Sequence, residues 1–298
     1  MSATADLAPG GAAPETAASA RAHRRPSTLM VLRWELRKLV SQKRTYLGLV
    51  LAGLFPLIFV VVENIHQHGG RGGGLSIFAG EITQSGLAAP VLTLEFLSAF
   101  MLPLIAALVA GDIVAAEDGN GTLKTILTRS VDRGQVFAAK ALAAVLYGLA
   151  AVYVSAAVAT IGGVASWGFH PVRTLSGTLV SAPRALLLVF AANAMYLIPL
   201  IAVIAFGLLL STATRNSTAS VVGTVGFVIL LYILAGIPGL EGWQPYLLTE
   251  QFANWHGLLR TPTDWAPILH SLWVCALYAV PCLIAGYLVL LRRDVAGG

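Results

Sequence analysis

Six long apolar segments, separated by short polar ones, constrain this chain more than any other feature of its sequence. A helix needs about 20 mostly apolar residues to cross the hydrocarbon core of a bilayer. The segments that reach or approach this length are residues 46–62, which is slightly short, and residues 88–116, 140–167, 185–211, 218–237 and 267–291. Only 11% of the residues are charged, less than half the share of about 25% in a soluble domain. The sequence therefore predicts an all-α polytopic membrane protein with six transmembrane helices.

Prolines in the second, fourth and sixth segments predict kinks. Pro90 and Pro103 lie in the second span, Pro199 in the fourth and Pro281 in the sixth. A proline removes one backbone donor, and in a membrane the neighbouring helices can satisfy the carbonyl that it frees.

The basic residues predict the orientation of the spans. Of the 19 Lys and Arg residues, all but Arg71, Arg173, Arg184 and Arg260 fall on one side of the membrane when six spans are drawn. Because cytosolic loops carry the excess of Lys and Arg, both termini are expected in the cytosol and the chain in the plasma (inner) membrane. The cations lie beside apolar segments, which favours an anionic lipid bilayer as their partner and not nucleic acid.

The N-terminal region divides into a tail and an amphipathic helix. Residues 1–26 are rich in Ala, Gly and Pro and predict a disordered cytosolic tail, whereas residues 27–44 predict a helix that lies in the headgroup layer. Its apolar stripe is predicted to comprise Leu29, Leu32, Leu36, Leu39 and Val40, with Glu35 and Lys38 pointing away. The membrane-interface residues are then Arg33, Trp34, Arg37 and Lys38. The alternative is a soluble helix packed on a cytosolic partner. Residues 45–293 form the predicted transmembrane domain, and residues 294–298 a cytosolic tail.

A compact polar segment separates the second and third spans. Residues 119–121 (Gly-Asn-Gly) break the helix, and Leu123, Ile126 and Leu127 share one face of a short helix that follows. Asp132 and Gln135 have the spacing of a capping box for the next helix. An apolar face on a short cytosolic helix requires a partner that buries it.

The segment resembles a signature of ABC type-2 transporter permeases. Glu117, Gly121-Thr122-Leu123-Lys124, Leu127, Ser130-Val131-Asp132-Arg133 and Lys140 are similar to the family pattern Glu…Gly-Thr-Leu…Leu…Pro-Val-Ser-Arg…Lys. Ser130 stands where the family often has Pro, and Asp132 where it often has Ser. The amphipathic first helix, the six spans and a longer exterior segment at about residues 238–265 also match, so the resemblance covers residues 27–293.

The resemblance implies that the polar segment is a coupling helix, at about residues 117–133, which docks on a cytosolic ABC ATPase subunit. The first helix would be the "elbow" of the family, and the exterior segment would be re-entrant or interfacial. The chain would act as a dimer with a second copy or a sister permease, most often in export. The coupling residues that the resemblance implies are Glu117, Gly121, Thr122, Leu123, Lys124, Ile126, Leu127, Arg129 and Arg133. Lys124, Arg129 and Arg133 would pair with acidic groups of the ATPase or with lipid phosphate; the alternative is that they only follow the cytosolic charge bias.

The chain itself carries no phosphate-binding loop. Its four lysines are Lys38, Lys43, Lys124 and Lys140, and none follows a glycine as such a loop requires. The sequence therefore predicts a subunit that is not an enzyme and has no cofactor or metal of its own, with ATP and Mg²⁺ held by the partner ATPase.

Two polar residues within the spans are candidates for a transport pathway. Glu95 lies in the outer half of the second span and Asn193 in the fourth. Glu95 has the alternative of a plain interfacial position at a helix start. Two other functions stay open at this point, an ion-coupled secondary transporter and a membrane scaffold that transports nothing.

Overall fold

The computed structural model describes residues 27–68, 85–119 and 132–292, and these residues are mostly α-helical. The helices are α1 (Thr28–Ser41), α2 (Lys43–His68), α3 (Ala89–Ala99), α4 (Met101–Ala110), α5 (Ala115–Gly119), α6 (Arg133–Trp167), α7 (Ala182–Thr214), α8 (Ser217–Ala235) and α9 (Ala266–Leu291). Short 3-10 helices occupy Gly86–Ala88, Gln244–Tyr246 and Glu250–Leu259. Strands β1 (Val172–Arg173) and β2 (Leu179–Val180) form an antiparallel hairpin that pairs Val172 with Val180.

Five of these helices, α2 and α6 to α9, are long and apolar enough to cross a membrane. Gly86–Phe96 and Met101–Gly119 pass the same test as a pair and raise the number to six if they count as one bent span. The prediction of an all-α chain with several membrane-spanning helices is confirmed, while the count of six stays a prediction. The predicted first span, residues 46–62, was too short, because α2 extends to Lys43 and His68.

The helix pair Gly86–Phe96 and Met101–Gly119 is bent by 60° where α3 passes into α4. The break lies at Phe100, whose backbone is not helical, and Pro103 follows three residues later. A proline ring collides with the carbonyl four residues before it, here that of the last residue of α3, so Pro103 explains the position of the break. Helices α7 and α9 continue through Pro199 and Pro281 without interruption.

Helix α7 lies at the centre of the bundle and packs against α4, α6, α8 and α9. Tyr196, Leu200, Ile204 and Leu208 recur every four residues on α7 and are fully buried. This spacing keeps them on one face of the helix, which forms the middle of the hydrophobic core.

Helix α1 packs against α6 and α2 on a face that differs from the predicted one. Its buried residues are Val31, Leu32, Glu35 and Leu39, whereas Leu29 and Val40 are exposed. The prediction that Glu35 points away was therefore wrong. The buried face is rotated from the predicted stripe by a little less than one residue step of about 100°. Glu35 is buried because a lysine from α6 neutralises it, as described below.

The segment between α8 and α9 is folded against the bundle. Phe252 and Trp255 lie in the 3-10 helix Glu250–Leu259, which packs against α7 and α9. Each of the two side chains is 2% exposed. The side-chain amide of Asn254 donates to the hydroxyl of Ser271 over 2.9 Å. Whether this segment is re-entrant or interfacial with respect to a bilayer stays a prediction.

Candidate functional site

Lys140 of α6 is fully buried and lies between two glutamates. Its Nζ is 3.0 and 3.1 Å from the carboxylate oxygens of Glu35 on α1, and 2.7 Å from Oε1 of Glu117 on α5. It also donates to the carbonyl oxygen of Ile113 over 3.2 Å. One ammonium group therefore joins three elements that are distant in sequence.

Lys38 of α1 completes the arrangement by pairing with Glu117. The four residues Glu35, Lys38, Glu117 and Lys140 are called the charge cluster below. Lys38 is 42% exposed, but the side chain of Glu117 is only 2% exposed. Two carboxylates and two ammonium groups balance each other, and this balance is the condition under which buried charges are tolerated.

Polar contacts next to the charge cluster tie further helices to the connection between α4 and α5. Asp112 pairs with Arg44 of α2 and accepts a hydrogen bond from the hydroxyl of Ser217, which begins α8. The hydroxyl oxygen of Ser211 on α7 accepts from the backbone N–H groups of Val114 and Ala115 over 3.2 and 3.0 Å. A cavity of about 170 Å³ separates the two sets of charges.

The geometry of the cluster suits a mechanical junction. Helix α5 ends at Gly119 and α6 begins at Arg133, so both helices that flank residues 120–131 are fixed to α1 through Lys140. Separating a buried ion pair leaves an uncompensated charge, at a cost of about 3–5 kcal/mol. A displacement of either flanking helix is therefore shared by the other two elements. Among the residues that the structure describes, no group of three His, Cys, Asp or Glu residues could hold a metal ion.

The structure places only part of the predicted coupling segment. Glu117 lies in the charge cluster, and Arg133 donates to the carbonyl oxygen of Leu291 over 2.7 Å at the end of α9. Asp132 occupies the predicted cap position of α6, but its side chain makes no capping hydrogen bond. The other coupling residues lie outside the described part of the chain; they are Gly121, Thr122, Leu123, Lys124, Ile126, Leu127 and Arg129.

The predicted interface residues of α1 divide between two roles. Arg33, Trp34 and Arg37 are exposed on the outer face of the helix. Lys38 is also partly exposed, but it reaches Glu117 and so belongs to the charge cluster.

The two candidate pathway residues each have a hydrogen-bond partner of their own. Glu95 is 46% exposed, and its carboxylate lies 2.9 Å from Nε2 of His256. Asn193 is buried on α7, where its amide donates to the carbonyl oxygen of Val189 over 2.8 Å, one turn earlier in the same helix.

Sequence reasoning missed the ion pairs that form the charge cluster. Glu35 lies at the spacing of Val31, Leu32 and Leu39, so a charge inside an apolar stripe was the available signal. Nothing in the sequence pattern indicated Arg44 as the partner of Asp112. Lys140 was recognised only as part of the signature and of the cytosolic charge bias.

Comparison with known proteins gives one family and two short matches. The family model described as "Protein of unknown function (DUF2705)" matches residues 51–296. A protein named "Probable ABC transporter permease protein NosY" from Stutzerimonas stutzeri is 37% identical over 62 residues, 21% of this chain and 22% of the relative. The protein of the same name from Pseudomonas aeruginosa is 39% identical over 64 residues, 22% of this chain and 23% of the relative. The matches therefore span less than a quarter of the curated relatives.

Proposed function

The chain belongs to the family described as protein of unknown function (DUF2705), and we propose that it is the membrane-spanning permease subunit of an ABC transporter. Its motor would be a separate cytosolic ATPase, and its direction of transport would be export. The names of the two short-matching relatives support this proposal, as do the apolar helices.

The observation that carries the proposal is the contact between Glu117 and Lys140. These residues stand at the two ends of the signature, and their side chains meet over 2.7 Å in a buried site. The intervening segment is therefore anchored to the membrane-spanning helices at both of its ends. When a docked partner displaces a segment held in this way, α4, α5 and α6 move with it.

Helix α1 fits the same scheme. Its outer face combines exposed apolar residues such as Leu29 and Val40 with Arg33 and Arg37, a combination that suits the headgroup layer of a membrane. Glu35 and Lys38 on its inner face connect it to the charge cluster. We propose that α1 is the elbow helix, that the bent pair counts as a sixth span, and that two permease copies or sister chains enclose the pathway.

Co-purification with a cassette ATPase encoded in a neighbouring reading frame tests this proposal. Leu123→Asp and Leu127→Asp are expected to abolish co-purification while membrane insertion survives, because a charge on the docking face would be buried without a partner. Thr125→Asp, which the helical spacing predicts off that face, is the matched control. Equal retention of the ATPase by all three variants would count against docking through this segment.

Coupling is tested separately with the variant Glu35→Gln/Glu117→Gln/Lys140→Met. Removing both acids and the buried base together avoids an unpaired buried charge, so folding is expected to persist. The complex should still assemble, but permease-dependent stimulation of ATP hydrolysis should be lost. Full stimulation in this variant would remove the cluster from the coupling path. Ion-gradient dissipation by vesicles containing the chain alone would instead favour a secondary transporter.

A further inference from the structure

A second cavity lies at the opposite end of the bundle from the charge cluster. Its volume is about 490 Å³, within the range of roughly 300–1,000 Å³ typical of small-ligand sites. Apolar residues dominate its lining, among them Leu87, Val91, Leu92, Val180, Leu188 and Val189. The turn before α3, the β-hairpin and the first turns of α7 thus form one apolar chamber beside the membrane-spanning helices.

One arginine lines this chamber, and two others adjoin lining residues in the sequence. Arg173 lines it directly, Arg184 precedes the lining residue Ala185, and Arg260 follows the lining residue Leu259. Arg260 lies 3.2 Å from the carboxylate of Asp264. Arg173 and Arg184 are exposed, and neither forms an ion pair with a residue that the structure describes. The nearest acid on α3, Glu95, is paired with His256. The guanidinium group of Arg173 is therefore available to an anion in the lining of an apolar cavity, and Arg184 is next to a lining residue in the sequence.

We propose that this cavity binds a phospholipid with an anionic headgroup, with one acyl chain in the chamber and the headgroup at Arg173 and Arg184. The apolar lining provides hydrophobic burial for the chain, and the arginines provide charge-assisted hydrogen bonds to phosphate. The adjoining helices are of membrane-spanning length, which places the chamber where lipid is the most abundant apolar ligand. The site goes beyond the proposed function, since it lies at the other end of the bundle and needs no ATPase.

Photo-crosslinking of the full chain in detergent tests the site. Phosphatidylglycerol and phosphatidylcholine, each with a photoactivatable group on one acyl chain, are added at equal concentration, and adducts are mapped by peptide mass spectrometry. Adducts of phosphatidylglycerol should concentrate in residues 85–92 and 172–189. Unlabelled phosphatidylglycerol should compete about tenfold better than phosphatidylcholine, because the choline cation offsets the phosphate charge, a loss comparable with one charge-assisted contact.

Four variants test the headgroup contact and the acyl-chain contact separately. Arg173→Gln should lower competition by phosphatidylglycerol about tenfold and competition by phosphatidylcholine by a smaller factor, because choline already offsets the phosphate charge, while Arg215→Gln at the other end should change neither. Leu188→Trp, which fills the chamber, should reduce labelling by both lipids, and Val91→Trp repeats that test from α3. Glycerol phosphate, which lacks acyl chains, should not compete.

Four results would overturn the proposal. The first is labelling spread evenly over α2 and α9, which indicates ordinary boundary lipid. The second is an equal effect of Arg173→Gln and Arg215→Gln. The third is unchanged labelling in both chamber-filling variants when their thermal unfolding matches that of the unsubstituted chain. The fourth is competition by glycerol phosphate as strong as that by the whole lipid.

Discussion

The two ends of the helix bundle hold their charges in different ways. At one end, Lys140, Glu117 and Glu35 are almost fully buried and join α1, α5 and α6. At the other, the pairs Glu95–His256 and Arg260–Asp264 are partly exposed, and an apolar chamber of about 490 Å³ lies beside them. A buried pair resists separation because each charge would be left without water or a partner, whereas water replaces the partner of an exposed one.

This difference indicates that one end of the bundle is rigid and that the other can rearrange. The buried end keeps three elements in fixed positions, as the proposed coupling to an ATPase requires. The opposite end has exposed charges and space for a ligand, so its side chains can rearrange at little cost. The predictions below test this contrast, and each compares a change at one position with a matched change elsewhere.

The largest effect is expected from Lys140→Met. It leaves Glu35 and Glu117 buried without their shared cation, and the free energy of unfolding should fall by about 3–5 kcal/mol. Chemical unfolding of the detergent-solubilised full chain measures this loss. Lys38→Met is the control, since it removes a partly exposed lysine from the same Glu117 and should cost about 1 kcal/mol or less. Equal losses in the two variants would mean that the cluster is not held by burial.

The next effect concerns a backbone contact at the opposite end. A Cβ added to Gly86 would overlap the carbonyl oxygen of Gly163 on α6, and a Cβ on Gly163 would overlap the carbonyl oxygen of Gly86. Gly86→Ala and Gly163→Ala should each lower the free energy of unfolding by about 1–3 kcal/mol through overpacking. This result would support the contrast between the two ends, because it would show that close packing at this end depends on small residues and not on charge.

Gly226 of α8 supplies the matched control for these alanines. A Cβ at Gly226 meets no atom within 4 Å, so Gly226→Ala should stabilise the helix by up to about 1 kcal/mol. Losses of similar size at all three glycines would point to a general intolerance of alanine and not to the contact between Gly86 and Gly163.

A comparable effect is expected from Ser211→Ala near the charge cluster. Ser211 is fully buried, and its hydroxyl oxygen accepts the N–H groups of Val114 and Ala115 where α4 and α5 meet. Leaving these donors without an acceptor should cost about 1–3 kcal/mol in thermal or chemical unfolding. Ser41→Ala, at the exposed end of α1, should change stability by less than about 0.5 kcal/mol. A negligible loss at Ser211 would show that this connection relaxes easily and is less rigid than its contacts suggest.

The sequence predicted the helices better than it predicted their contacts. Apolar length alone indicates α6 to α9, because the requirement to satisfy backbone groups in a bilayer leaves few alternatives. Glu117 and Lys140 were recognised as the two ends of one signature, and the structure brings their side chains within 2.7 Å of each other. The contact between Lys140 and Glu35 could not be predicted from the sequence. A helical wheel sorts residues by hydropathy and contains no information about a counter-ion on another helix. The same reason hid the contact between Arg44 and Asp112, which depends on how α2 packs beside α4.

The smallest effect is expected at the partly exposed pair, Glu95 and His256. Their side chains are 46% and 34% exposed, so water screens the interaction, and Glu95→Gln should cost at most about 1 kcal/mol. A double-mutant cycle with His256→Asn measures the coupling energy of the pair directly, and a value below about 1 kcal/mol is expected. A coupling energy above about 3 kcal/mol would mean that this end also has a strong ion pair that resists separation, which would contradict the contrast between the two ends. A small coupling means that exchanging His256 for another partner costs Glu95 little free energy, as the contrast between the two ends requires.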